Sequence, residues 1–154
     1  DIEEARYNLR QIKTNWYNIA CASPLVGSEM YDIAHANGYI IDTTRGSDYH
    51  KAVIKSDDFT PEYIQKMQYI LNLELNFVYN NDMEIEDYKT ALTGFKNVIR
   101  IRPDHAFAHY FSAVCYQKIK DYKNYEINKN KFETCSKTPL WKEYIEYFNI
   151  DLNL

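Results

Sequence analysis

The tripeptide Asp87-Tyr88-Lys89 recurs as Asp121-Tyr122-Lys123, 34 residues further along the chain. That distance is the length of one helix pair with its turns, so it constrains the fold more than any bulk property does. Around the first copy, Tyr88, Ala91, Phe95 and Val98 fall at helical spacing, and Pro103 closes the run. Ahead of the second copy, Ala113 and Tyr116 put a small and an aromatic residue on one helix. A small residue lets a partner helix approach, and an aromatic ring fills the gap beside it. Residues 57–154 are therefore expected to form an array of antiparallel helices, each packed on its neighbours.

This pattern resembles the tetratricopeptide repeat. The resemblance implies a binding groove on the concave face of the first helices, which would be lined by Phe77, Asn80, Asn81, Phe107, Tyr110, Val114, Gln117 and Lys118. The same residues also suit ordinary packing between helices. Two departures stand out. Three more residues separate Tyr79 from Tyr88 than separate Tyr116 from Tyr122, and in the second copy Tyr125 and Lys129 hold the small and aromatic positions. The last repeat helix is accordingly expected to be rotated or packed differently. Pro139 opens a final helix whose Trp141, Tyr144, Ile145 and Phe148 are suited to covering the end of the array.

Upstream, Phe59-Thr60-Pro61-Glu62-Tyr63-Ile64 is a helix start, with Thr60 as N-cap, Pro61 as first helical residue and Phe59 against Ile64 as staple. Met67, Ile70, Leu71, Leu75 and Val78 continue its apolar face to about Tyr79. The polar stretch Asp42 to Asp58, containing Thr43-Thr44-Arg45-Gly46-Ser47-Asp48, is the expected boundary, giving domains 1–56 and 57–154.

The first domain reads as helix, strand, helix. Ile2, Ala5, Leu9 and Ile12 mark the first helix, and the apolar, aromatic run Trp16 to Cys21 has the character of a buried strand. Pro24 and Gly27 make a loop, Ser28 caps the next helix, Tyr31, Ile33 and Ala34 lie on its apolar face, and Gly38 suits a left-handed C-cap. Such α-β-α order is the edge of an α/β structure. The order, together with Pro24-x-x-Gly27-Ser28-Glu29-x-Tyr31 and Asn37-Gly38-Tyr39, resembles the end of the catalytic barrel in radical S-adenosylmethionine enzymes, and is most similar to their cobalamin-binding branch.

The resemblance implies a mainly α chain, the C-terminal region of a larger oxidoreductase or methyltransferase-like enzyme, with a short α-β-α barrel remnant before the repeats. The parent would carry a four-iron, four-sulfur cluster and S-adenosylmethionine, with cobalamin a further cofactor of that branch. Its three cluster cysteines would lie upstream, so no catalytic residue and no cofactor is expected within these residues. Ala22 and Ser23, at the end of the strand, would border the adenine side of the cofactor; both also suit a plain strand end. The strand, cut from its barrel neighbours, is expected to seek cover, for instance by pairing with a second copy in a homodimer. The chain opens with Asp1 inside a helical pattern, which agrees with a longer natural protein.

The remaining features narrow the choices. A net charge of -4 gives no field for nucleic acid. Lys118, Lys120, Lys123, Lys129 and Lys131 are interrupted by Asp121 and Glu126, as on a solvated helix face. Cys21, Cys115 and Cys135 are odd in number and far apart, which fits free thiols and a cytoplasmic setting. No apolar run approaches the roughly 18 residues of a membrane span. His105 and His109 share a helix face, but Ala106 stands where a metalloprotease motif has Glu, and no further ligand is near, so exposed or packing histidines are expected rather than a metal site. The partner of the helices would be another protein or the parent's own catalytic domain. A stand-alone tetratricopeptide adaptor and an oligomerisation module are the alternatives.

Overall fold

The computed structural model describes residues 2–42, 51–152 and 154. It is mainly helical, and no strand occurs among the described residues. The helices are α1 (Ile2–Gln11), α2 (Glu29–Ala36), α3 (Pro61–Leu73), α4 (Asn81–Glu84), α5 (Tyr88–Ile101), α6 (Ala106–Lys118), α7 (Tyr122–Cys135) and α8 (Pro139–Tyr147). A π-helical turn, Glu74–Val78, continues directly from α3. The expected boundary loop Thr43 to Asp48 lies outside the described residues. Contacts divide the chain into two compact units, Asn18–Asn72 and a second made of Asp1–Tyr17 with Leu73–Leu154. This division takes the first helix away from the rest of the expected N-terminal domain.

In the unit Asn18–Asn72, local chemistry sets the helix ends. The Ser28 hydroxyl accepts the Tyr31 amide at 3.2 Å and so caps α2. At the other end Gly38 takes φ +66°, its N–H bonds the His35 carbonyl, and the Tyr39 N–H bonds that of Ala34. These are the two bonds of a Schellman motif, and the left-handed turn is why glycine stands there. Thr60 caps α3 by accepting the Tyr63 amide at 3.2 Å, with Pro61 at the first helical position. The polar stretch is not a free linker along its whole length: Val53 is buried, and Ile54 makes an isolated antiparallel bridge with Ile40.

The other unit holds the array. Helix α6 packs against both α5 and α7, and the helix-to-helix turn recurs with the sequence period. Glu86 and Lys120 both adopt φ 62°. The Glu86 N–H bonds the Met83 carbonyl and the Asp87 N–H that of Asp82; Lys120 to Gln117 and Asp121 to Tyr116 repeat these bonds. Asp87 then caps α5 through the Thr90 amide, and Asp121 caps α7 through that of Asn124, each at 3.2 Å. One Schellman turn leading straight into an Asp cap thus occurs twice, 34 residues apart.

Phe77, Phe95, Phe107, Phe111 and Trp141 form the aromatic core of this unit. Phe77 stacks on Phe95 with ring centres 5.3 Å apart, and Phe107 meets Trp141 at 5.9 Å. Trp141, Tyr144 and Ile145 bury the inner face of α8. On α7 the buried residues are Tyr125, Asn128 and Phe132, whereas α5 buries Ala91, Leu92 and Phe95. Helix α7 is therefore turned about its axis relative to α5: a lysine at 129 cannot take the place that Phe95 fills. Lys129 instead sends its ammonium to the Leu154 carbonyl at 2.9 Å.

The run Trp16 to Cys21 takes no regular secondary structure and belongs to no sheet. Aromatic and apolar residues at that length predict a buried strand, but sequence pattern does not report what satisfies the backbone. Here side-chain amides do so. Asn76 Oδ1 accepts the Tyr17 N–H at 2.7 Å while its Nδ2 donates to the Tyr17 carbonyl at 3.0 Å. Within the unit Asn18–Asn72, Gln68 and Asn72 both donate to the Ile19 carbonyl, at 2.6 and 2.9 Å. At Tyr17 and Ile19 these backbone groups are thus satisfied from within the chain.

Candidate functional site

One cluster of buried polar groups in the unit of the array forms where the N-terminal segment meets the π-helical turn. Glu74 is 0% exposed. Each of its carboxylate oxygens takes one guanidinium: Arg6 Nε reaches Oε2 and Arg10 Nε reaches Oε1, both at 2.6 Å. Second contacts come from Arg6 Nη2 and Arg10 Nη2. Arg6 and Arg10 stand four apart on α1, so both reach one point from one face. Arg10 also lies over the Tyr79 ring, 4.2 Å from its centre. The Arg6 guanidinium is held still more firmly protonated than usual, chiefly by its bond to Glu74.

Further along, Asn15 Nδ2 donates to Asp82 Oδ1 at 2.7 Å. Burial pushes the Asp82 carboxyl up, and the Asn15 hydrogen bond partly offsets this. The Trp16 ring meets Phe77 edge-on at 5.6 Å and lies over Gly94. A Cβ at position 94 would stand 2.7 Å from the Trp16 ring, so only glycine lets the indole sit there undisturbed. Beside Trp16 and α5 lies a cleft of about 370 Å³.

The expected groove residues do not form one open surface. Phe77 and Phe107 are in the aromatic core, and Asn80 is buried with Oδ1 capping α4 through the Met83 amide. Asn81, Tyr110 and Val114 are half-buried, leaving only Gln117 and Lys118 exposed. Aromatic residues at those positions fill space between helices instead of lining a channel. In the unit Asn18–Asn72, Ala22 borders an apolar cavity of about 180 Å³ with Cys21, Val53 and Ile64. The Ser23 hydroxyl is buried with no hydrogen-bond partner among the described residues.

His105 and His109 are both buried structural groups. His105 caps α6, its Nδ1 accepting the Ala108 amide at 3.1 Å, and it packs on Trp141 with ring centres 4.5 Å apart. Burial holds its imidazole neutral, with the pKa lowered to about 3. His109 faces two acceptors, the Pro103 carbonyl at 2.9 Å and Asn128 Oδ1 at 3.0 Å. The Cys115 thiol is pushed up to about 12 by burial.

No group of three or more His, Cys, Asp or Glu placed to hold a metal occurs among the described residues. Among those residues, too, no helix is long and apolar enough to cross a membrane. Sequence reasoning missed Glu74, Asn76 and Asp82. The only signals were Arg6 and Arg10 on one helix face and polar residues within an apolar run. No family model matches the chain, and no curated protein or solved structure is similar to it at a significant level.

Proposed function

We propose that the chain is the C-terminal region of a cytoplasmic radical S-adenosylmethionine enzyme of the cobalamin-binding type, in which the helices act as a tetratricopeptide-like interaction or spacing module without catalysis of their own. The observation that carries the module reading is the doubled turn: a Schellman bond pair followed at once by an Asp cap, at Glu86-Asp87 and again at Lys120-Asp121. Such a repeat stacks helices with fixed spacing and leaves exposed positions, here Gln117 and Lys118, for contacts. The enzyme reading is supported by the Pro24 to Tyr31 string, whose Ser28 caps the helix, and by Asn37-Gly38-Tyr39, whose Gly38 makes the left-handed turn that ends it. The most natural partner is the catalytic domain of the same protein.

The test is the natural full-length gene product, purified without oxygen and reconstituted with iron and sulfide. The expected result is one four-iron, four-sulfur cluster per chain, bound by cysteines upstream of Asp1, with reductive cleavage of S-adenosylmethionine. A natural chain that lacks such cysteines, or that binds no cluster, would overturn the enzyme reading and leave the adaptor or oligomerisation module in its place.

A further inference from the structure

The cleft beside Trp16 combines an apolar wall with one unpaired charge. Trp16, Ala91, Val98 and Ile101 supply the wall, and Asp82 is its single ionisable lining residue. Asp82 is 2% exposed. Its Oδ1 is held by Asn15, while Oδ2 has no hydrogen-bond partner and the carboxylate no counter-ion among the described residues. The charge that acts on it is another carboxylate, Asp87, whose repulsion adds to the cost of ionising it. A buried carboxylate without a cation is unfavourable, so a fold that keeps one beside an open cleft is suited to taking a cation from solution.

We propose that this cleft binds a small primary amine, its ammonium on Asp82 Oδ2 and its apolar body against Trp16 and Val98. Other ligand chemistries fit less well. A hard metal ion needs several oxygen ligands, and the cleft offers one carboxylate with the amide oxygens of Asn15 and Asn97 and two threonine hydroxyls. The Thr90 hydroxyl is already committed to Asp87 at 2.7 Å. An anion would face Asp82, and a neutral apolar molecule would leave Oδ2 buried and unpaired. The volume of about 370 Å³ lies at the small end of ligand pockets, which favours a compact body. The indole face adds attraction for an ammonium beyond that of the carboxylate. This proposal is independent of the enzyme reading.

The probe is 2-phenylethylamine, with 2-phenylethanol as its uncharged counterpart, each titrated into isotopically labelled protein and followed by nuclear magnetic resonance. The Trp16 indole N–H and the Gly94 amide are expected to shift saturably with the amine, at least tenfold more tightly than with the alcohol. Asp82→Asn, checked by circular dichroism for retained helix, is expected to abolish that preference. Equal binding of amine and alcohol to the unaltered protein would overturn the proposal without need of any variant. So would shifts confined to residues away from the cleft, no saturable shift at all, or an unchanged preference in a folded Asp82→Asn protein.

Discussion

Helix α6 and the stretch one repeat length before it, residues 72–84, hold equivalent places in the sequence period and could hardly be built more differently. Helix α6 is unbroken and buries Ala106, Phe107, Ala108, Phe111, Ala113, Cys115 and Tyr116, with His109 and Ser112 the polar exceptions. The earlier stretch passes through a π-helical turn, breaks at Tyr79 and Asn80, and restarts as the short α4. It buries Glu74, Asn76, Asn80 and Asp82. By sequence position Glu74 stands where α6 has Ala108, and Asp82 where it has Tyr116. The difference lies in what each must hold. Helix α6 is covered by α8 through Trp141 on Phe107, apolar on apolar. The earlier stretch is covered by α1 and Asn15–Tyr17, and every buried polar group but Asn80 binds that segment. Apolar cover supplies area, whereas charged and amide cover fixes which residue sits where.

The largest test separates those two kinds of cover. In an Arg6→Met, Arg10→Met double variant, Glu74 keeps its burial and loses both counter-ions. The expected loss is about 3–5 kcal/mol, the usual cost of stranding one member of a buried ion pair. Adding Glu74→Met should recover most of it, because an apolar side chain can replace a buried charge network at little net cost. Urea denaturation of the three proteins checks this. If the triple variant is no more stable than the double, the arginines act through α1 packing and the polar clamp is incidental.

The second test uses pH and the opposite end of the array. His105 caps α6, while the equivalent earlier position is Leu71 and cannot titrate. Burial lowers the folded pKa of His105 to about 3 from an ordinary 6.5. Between those values the unfolded chain binds a proton that the folded chain refuses, so stability falls as pH falls. The contribution is complete above about pH 6.5 and declines by up to about 1.4 kcal/mol per pH unit below it. His105→Asn keeps a capping oxygen, so its stability should be lower overall but less dependent on pH between 5 and 6.5. Identical slopes for both proteins would assign the acid sensitivity elsewhere.

What the sequence made legible follows the same division. Caps and turns are read over a few residues, and Ser28, Thr60, Pro61 and Gly38 all act where the local pattern puts them. The repeat was legible because Asp87 and Asp121 are local signals that recur. Glu74 was not, since its partners lie 64 and 68 residues away and nothing in an apolar helical run announces that one acid will be buried. The cover of Trp16 to Cys21 was not legible: a β-ladder and a set of side-chain amides can satisfy the same backbone groups, as the amides do here at Tyr17 and Ile19. The groove was ambiguous for a related reason. Phe77 and Phe107 have the composition of a recognition surface, and packing against Phe111 and Trp141 uses the same rings.

The smallest expected effect is also the most direct check that the two copies are one device used twice. Asp87 and Asp121 make the same bonds: each accepts the backbone amide three residues on at 3.2 Å, and each accepts a side-chain bond from that residue at 2.7 Å. Those bonds hold both carboxyls below the usual range, the side-chain bond most of all. Asp87→Ala and Asp121→Ala should therefore each lower the folding constant roughly fivefold, as loss of an N-cap commonly does. The lowered pKa values set the pH window: each contribution is present above the ordinary carboxyl range and is lost as pH falls through the folded value. Because the sites are 34 residues apart and share no partner, the double variant should show the product of the two losses. A cost at one cap and none at the other would mean that the turns match in shape but differ in energy, since one helix start would then be held by its packing alone.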